Sequence, residues 1–489
     1  MTEVQTSPAL TAPELPDGLV AFVKRDCPTC ELVEPVLAEL ERRTGLTVYT
    51  QDDPSFPASV QNRIDDLELS ASWHHDIETV PSLLLVENGR ESGRTVGWSR
   101  EQWESFTNES GLGLDLPEQR PGCGSMSVDP NLADGLRVRF TGDRLHARRV
   151  EFAALEDDHE AMFDRGWTDG LPVVAPTEAR VLAMLEATTR PEGELVAAVP
   201  PDLAPCTVEK VAINAVLAGC RPEYFPVVLA GIEAVCNDTF NMHGMLATTM
   251  GVGPIFIVNG PIRNKIAMNS GVNVFGQGNR ANLTIGRAIQ LTIANVGGGR
   301  PGGVDRATFG NPGKLSFCFA ENEEDSPWGP LSTDFGFESG QDVITAFPGE
   351  APRNVIDQLS RDPESLARSF SVNLLAIHHP KLVLGFDALL AVSPDHARVF
   401  RDAGWSKHDL VSRIGELTTR PANEILRGVD GIAEGVHEAF ADTDVAKFRP
   451  NGGLRIVHCG GGAGLFSAII GGWVNGEAGA QPVATAITP

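Results

Sequence analysis

The tightest chemical spacing in the chain is Cys27-Pro28-Thr29-Cys30. If a helix opens here, the first sulfur lies at the positive end of its dipole, which favours the thiolate and lowers its pKa below about 8.5. Cys27 is then the nucleophile and the more exposed thiol. Cys30, one turn on, is placed to attack a mixed disulfide on Cys27 and release the product. Lys24 and Arg25 add positive potential, and Asp26 opposes it. Pro28 suits a first turn because it lacks a donor that would go unused there. The alternatives are a zinc half-site completed by His74 and His75, or two buried thiols.

Other residues could also do chemistry. Cys318 lies in an apolar run that ends at Glu321, Glu323 and Glu324, carboxylates able to act as general acid or base or as hard metal ligands. A packed strand followed by a solvated acidic turn explains the same pattern. Cys459 follows the run Leu454 to His458 and opens a loop containing Gly460, Gly461, Gly462, Gly464 and Ser467. Read as strand, glycine loop and apolar helix, this segment would hold a phosphate or carboxylate on backbone N–H groups; tight backbone packing is the competing explanation. The spacing departs from Gly-x-Gly-x-x-Gly, which weakens a dinucleotide reading. His243 could serve as acid or base, or pack as a loop histidine. His396 follows Ser393-Pro394-Asp395, which helix capping explains without catalysis. Arg263, Lys265, Arg280 and Arg287 punctuate a Gly/Asn-rich run and could draw an anion or keep the surface soluble. Cys123 sits in Pro121-Gly122-Cys123-Gly124, read as an exposed linker thiol or a shuttle between domains. No Gly-x-Ser-x-Gly, P-loop or His-Glu-x-x-His motif occurs.

The elements that must position these residues follow from periodicity. Leu19 to Lys24 reads as a short apolar strand, and Leu32, Val36, Leu37 and Leu40 have helical spacing. Further strands are expected at 46–50, 82–86 and 94–98, with a closing helix at 100–108. The expected organisation is a disordered lead-in at 1–16, a first domain at 17–112, a connector with a β-hairpin at 113–150, and a large α/β catalytic domain at 151–489. In the last, helices are expected at 208–217, 225–235 and 281–295, and strands at 255–258, 382–385 and 454–458. Alternating helices and strands give the fold class α/β.

The order strand, Cys-x-x-Cys, helix, strand, helix, then Thr79-Val80-Pro81 before a hairpin resembles the thioredoxin family. That resemblance implies a thioredoxin-like N-terminal fold, a redox-active Cys27–Cys30 disulfide, and a cis Pro81 that keeps a backbone edge open for an extended substrate. Asp26 before the first cysteine and Pro28-Thr29 between the two depart from the family's commonest spelling and lie closer to glutaredoxin. The large domain, through Gly166 to Val174, Gly310 to Cys318 and Ala320 to Glu324, resembles a bacterial domain group that carries no known activity.

Composition bounds the function. Lys and Arg number 39 against 65 Asp and Glu, a formal charge of −26 over 489 residues. Such a surface repels nucleic acid and anionic lipid. No apolar run is long enough to span a membrane. The first residues lack a basic and an apolar region, so no secretory signal is expected. Eight cysteines are too sparse for a disulfide scaffold, which points to a reducing cytoplasm.

These readings combine into a thiol-disulfide oxidoreductase. The N-terminal dithiol takes electrons from a thiol or disulfide reductant system and passes them to Cys318 or Cys459 of a large domain acting on a small molecule. No other cofactor and no metal is assigned, and a homo-oligomer is possible. The competing readings are a non-redox lyase or hydrolase with the first domain as a docking or protective module, and a protein-disulfide or scaffold role.

Overall fold

The computed structural model describes residues 12–153, 155–428 and 434–488. The chain forms two units, one ending at Leu145 and the other beginning at His146. The lead-in expected at 1–16 lies outside the described residues as far as residue 11. Beyond it, Leu15 is buried and the Pro13 carbonyl accepts a hydrogen bond from His75 Nε2 at 2.8 Å, so residues 12–16 are held against the unit.

In the first unit the strands are β1 (Gly18–Val23), β2 (Thr47–Thr50), β3 (Arg63–Asp65), β4 (Thr79–Val80), β5 (Ser82–Glu87), β6 (Arg90–Val96), β7 (Trp98–Ser99), β8 (Gln119–Arg120) and β9 (Cys123–Gly124). The helices are α1 (Pro28–Thr44), α2 (Ser70–His74), α3 (Arg100–Thr107) and α4 (Ala133–Thr141). A five-stranded sheet runs β3-β2-β1-β5-β6. β1 and β2 are parallel, as are β2 and β3, while β1 with β5 and β5 with β6 are antiparallel. The apolar side of α1, with Val33, Val36, Leu37 and Leu40, is buried in the same core as Phe22 and Leu84. Glu31 in the first turn and Arg42 and Arg43 in the last suit the helix dipole. Gly45 ends the helix in the left-handed region, where glycine carries no Cβ penalty.

The connector expected at 113–150 is different. Its first part is stitched onto the unit. β7 pairs with β8, and β4 pairs antiparallel with β9, Val80 opposite Cys123. Buried Gln51 donates to Ser125 Oγ at 2.6 Å and accepts from Met126 N at 3.0 Å, and Ser127 Oγ donates to the Ile77 carbonyl at 2.6 Å. The expected hairpin is replaced by α4. Leu136, Val138 and Phe140 alternate with arginines, which mimics a strand. In the helix, however, Leu136 and Phe140 stand four apart on one face and pack against Leu69 and Trp73.

In the second unit the helices are α5 (Asp158–Asp164), α6 (Glu178–Leu185), α7 (Val208–Ala218), α8 (Phe225–Val235), α9 (Met242–Ala247), α10 (Ile262–Lys265), α11 (Arg280–Asn295), α12 (Pro363–Leu375), α13 (Pro394–Asp402) and α14 (Lys407–Thr418). Its strands are β10 (Leu195–Val199), β11 (Ala204–Thr207), β12 (Gly253–Asn259), β13 (Cys318–Ala320), β14 (Val343–Gly349), β15 (Arg353–Ile356), β16 (Phe386–Val392), β17 (Arg420–Pro421), β18 (Asp444–Val445), β19 (Leu454–His458), β20 (Phe466–Val474) and β21 (Val483–Ala486). The main sheet runs β13-β12-β14-β20-β16-β19, with β15 also on β20 and β21 on β14. Its strands are mixed: β12 with β13 and β16 with β19 are parallel, β16 with β20 antiparallel. Leu390 and Ile456 face a core with Phe370 and Phe400, whereas Leu389 and Val457 face a core with Phe319 and Phe347. Both faces of the sheet are therefore covered, the α/β arrangement the alternating pattern implies.

Two expectations fail here. The glycine loop after Cys459 leads into β20, not a helix, so the expected order of strand, loop and helix is absent. The run at 382–385 is a turn, with Leu384 at φ 62°, and the strand begins at Phe386. Among the described residues no helix is long and apolar enough to cross a membrane.

The docking of β9 needs two glycines. A Cβ on Gly122 would stand 2.5 Å from Thr79 Cγ2 and 2.8 Å from the Val80 carbonyl oxygen, and one on Gly97 would stand 2.9 Å from Gly122 N. Gly122→Val should therefore cost about 1–3 kcal/mol by overpacking. Chemical denaturation should show that loss together with faster alkylation of Cys123. Unchanged stability and unchanged alkylation would contradict the observed pairing.

Candidate functional site

The site in the first unit is made of three sulfurs. Cys27 is the N-cap of α1, in extended conformation, and its Sγ accepts from Cys30 N at 3.4 Å. A thiolate at this position does what a capping serine oxygen does, satisfying a donor that the helix leaves free. The Cys30 thiol lies behind it and also hydrogen-bonds to Cys27. Cys123 Sγ lies 2.8 Å from Cys27 Sγ, and the Val80 carbonyl oxygen 3.6 Å away. All three cysteines are free thiols. The Val80–Pro81 peptide bond is cis, and the Pro81 carbonyl accepts from Gly97 N at 2.8 Å.

The electrostatics follow from hydrogen bonding. The Cys27 thiol is held down to about 5, first by the hydrogen bond from Cys30, against an opposing effect of burial, and then by those from Cys123 and the backbone. Cys30 is pushed up by burial and by the neighbouring Cys27 sulfur. Cys123 is also pushed up, by burial and by its bond to Cys27. The expected contribution of flanking charges is small. Arg25 is engaged by Asp53, and the backbone N–H groups of Arg25 and Asp26 donate to Asp52 at 2.7 and 2.8 Å.

One expectation is corrected. Cys27 is not the exposed thiol: it is 1% exposed and Cys30 0%, while Cys123 is half-buried. The cover is the chain's own β9 on β4, with Thr29 Oγ1 donating to the Pro121 carbonyl at 2.7 Å. Cys123, read from the sequence as an exposed linker thiol or a shuttle between domains, is half-buried and lies in this cluster. His74 Nδ1 and His75 Nε2 bond to the carbonyls of Ser70 and Pro13 instead of approaching the sulfurs.

The second unit brings some candidates together and separates others. Glu321 is buried and accepts from Asn259 Nδ2 and Leu331 N, both at 2.7 Å, and from His458 N at 3.3 Å. Burial pushes its carboxyl up. His458 is buried, its ring pushed toward neutrality by burial, and Nδ1 donates to the Asn322 carbonyl at 2.9 Å. Its Nε2 has no hydrogen-bond partner among the described residues. Glu323 and Glu324 are engaged by buried Arg263 at 3.1 and 3.0 Å, and Glu324 is held at about 2, first by that hydrogen bond. Both are ion-pair members here. A cavity of about 410 Å³ lies alongside, lined by Asn322, Asp325, Arg398 and Arg401 together with Gly460, Gly461 and Gly462.

Cys318 and Cys459 are buried, and burial pushes both thiols up, the condition of packed, unreactive cysteines. Gly464 adopts φ 103°. Ser467 is buried in β20 and lies 2.8 Å from His396 Nδ1, whose Nε2 donates to the Asp357 carbonyl at 3.0 Å. Burial pushes the ring toward the neutral form, in which Nδ1 accepts from the Ser467 hydroxyl. His243 is exposed on α9.

The folded pKa of Cys27 lies below its ordinary value of 9.0, so its ionisation adds stability that is complete above 9 and lost as pH falls through about 5. Thiolate ultraviolet absorbance of the reduced chain, taken against Cys27→Ser, should rise with a midpoint near pH 5. A midpoint near that of free cysteine would contradict the hydrogen-bonded cluster. Comparison with family models, curated proteins and solved structures finds no match to this chain.

Proposed function

We propose that this chain is a thiol-disulfide oxidoreductase whose N-terminal unit, thioredoxin-like in kind, gathers reducing equivalents at Cys27 and Cys30 for use on a small molecule by the large unit. The observation that carries the reading is the Cys27 sulfur at the N-cap of α1, held down to about 5 by hydrogen bonds and backed by the Cys30 thiol. A thiolate attacks a disulfide sulfur, and a second thiol within reach resolves the mixed disulfide. Val80, just before Pro81, lies by the Cys27 sulfur and pairs with Cys123, so this strand edge is where a partner sulfur would lie. The eight cysteines are free thiols, which suits a reducing compartment such as the cytoplasm, with a cellular thiol system as electron donor.

The large unit would contribute the substrate site. Its cavity by Gly460 to Gly462 offers two arginines and a carboxylate, a setting for a small anionic molecule. Cys318 and Cys459 are weak candidates for the internal electron acceptor, because a buried thiol of raised pKa is a poor nucleophile.

That same observation favours a second reading. The large unit would be a non-redox lyase or hydrolase in which Glu321, its carboxyl pushed up by burial, and His458, whose Nε2 has no hydrogen-bond partner among the described residues, serve proton transfer. The first unit would then protect or dock.

Reduction of an insulin-type protein disulfide by the full chain, recycled with a small dithiol, separates the two. Under the first reading Cys27→Ser lowers the rate by about a hundredfold or more, because no other thiol of the chain is both ionised and backed by a partner. An unchanged rate in Cys27→Ser would sink the redox reading and leave the second.

A further inference from the structure

We propose that Cys123 is a third redox-active thiol, which occupies through β9 the place of an external substrate on β4 and carries oxidising equivalents from solvent to Cys27 as a transient Cys27–Cys123 disulfide. This rests on the dithiol reading above and extends it.

Four observations on the first unit converge. Cys123 Sγ lies 2.8 Å from Cys27 Sγ. β9 runs antiparallel to β4 immediately before cis Pro81, so Cys123 is presented as an extended chain on the strand edge beside the nucleophile. Cys27 and Cys30 are 1% and 0% exposed, whereas Cys123 is half-buried, so it is the most exposed residue of the three. The segment is built in place, by Thr29 to the Pro121 carbonyl, by Gly97 and Gly122 at close approach, and by Gln51 to Ser125 and Met126.

The chemistry balances without a further redox partner. A disulfide R–S–S–R is attacked by Cys123. Its proton passes to the Cys27 thiolate, the S–S bond of the reagent breaks as the Cys123–S bond forms, and one RS⁻ leaves. Cys27 then attacks the Cys123 sulfur of Cys123–S–S–R. The Cys27–Cys123 bond forms, and the second R–S group leaves as a thiol with the proton from Cys27. Cys30 next attacks Cys27, forming Cys27–Cys30, and its proton goes to the released Cys123. Two electrons have moved from the Cys27/Cys30 pair to the disulfide, and Cys123 is regenerated.

The test uses the full reduced chain and 2-hydroxyethyl disulfide, read by peptide mass spectrometry after trapping of free thiols. In Cys30→Ser the expected major product is a peptide cross-linked between Cys27 and Cys123. In Cys123→Ser, formation of Cys27–Cys30 should slow by about tenfold or more, since the reagent must then reach a buried sulfur. If Cys30→Ser instead accumulates the reagent on Cys27 with Cys123 free, or if Cys123→Ser oxidises as fast as the native chain, the relay is wrong while the dithiol reading stands. If the native chain never forms Cys27–Cys30, the dithiol reading itself fails and the relay with it.

Discussion

The hydrogen bonds that converge on the Cys27 sulfur are the constraint on which the first unit depends. A thiolate in a buried place costs free energy unless donors surround it. Here the donors are the Cys30 thiol and backbone at the first turn of α1 and the Cys123 thiol on β9. The helix cap, the dithiol and the docked strand are thus one arrangement. Loss of any donor raises the cost of the charge, and loss of the charge weakens the cap that Cys27 Sγ gives Cys30 N.

That arrangement also explains why the backbone around it is so closely fitted. Gly97 and Gly122 let two chain segments approach without side chains between them. The buried Gln51, Ser125 and Ser127 then satisfy one another and the Ile77 carbonyl, which ties the segment that follows Cys123 to the unit. The cysteines of the second unit contrast with this. Cys206, Cys220, Cys318 and Cys459 are buried and Cys236 is half-buried, and desolvation pushes all five thiols up. Its chemical potential lies instead in Glu321, His458 and the cavity beside the glycine loop.

What was legible in the sequence is what local periodicity encodes. Cys27 and Cys30 stand at a helix start because an apolar strand precedes them and Leu32, Val36, Leu37 and Leu40 follow at helical spacing. α8 spans Phe225–Val235 and β19 spans Leu454–His458, matching their patterns residue for residue. The place of Cys123 was not legible. Its strand is two residues long, too short for any period, and its partner β4 lies far back in the chain. The glycines that read as a linker include one that close backbone contact requires, since Gly122 lies against Gly97 and Val80. β20 was misread as a helix because a strand buried on both faces shows no alternation, and Gly471-Gly472 inside it was the cue against a helix. The arginines of α4 imitated a strand for the converse reason.

A sulfur stabilised as thiolate favours the reduced dithiol over the disulfide, so the low pKa of Cys27 makes the Cys27/Cys30 pair a comparatively oxidising couple. Such a couple draws on cellular thiols easily and gives up electrons only to acceptors of higher potential. The most direct measurement is the equilibrium reduction potential of this pair in the intact chain, by quantifying each disulfide across a series of thiol–disulfide buffers at pH 7. The account predicts a two-electron couple less reducing than about −270 mV. A potential well below that value, or no Cys27–Cys30 disulfide in any buffer, would contradict it.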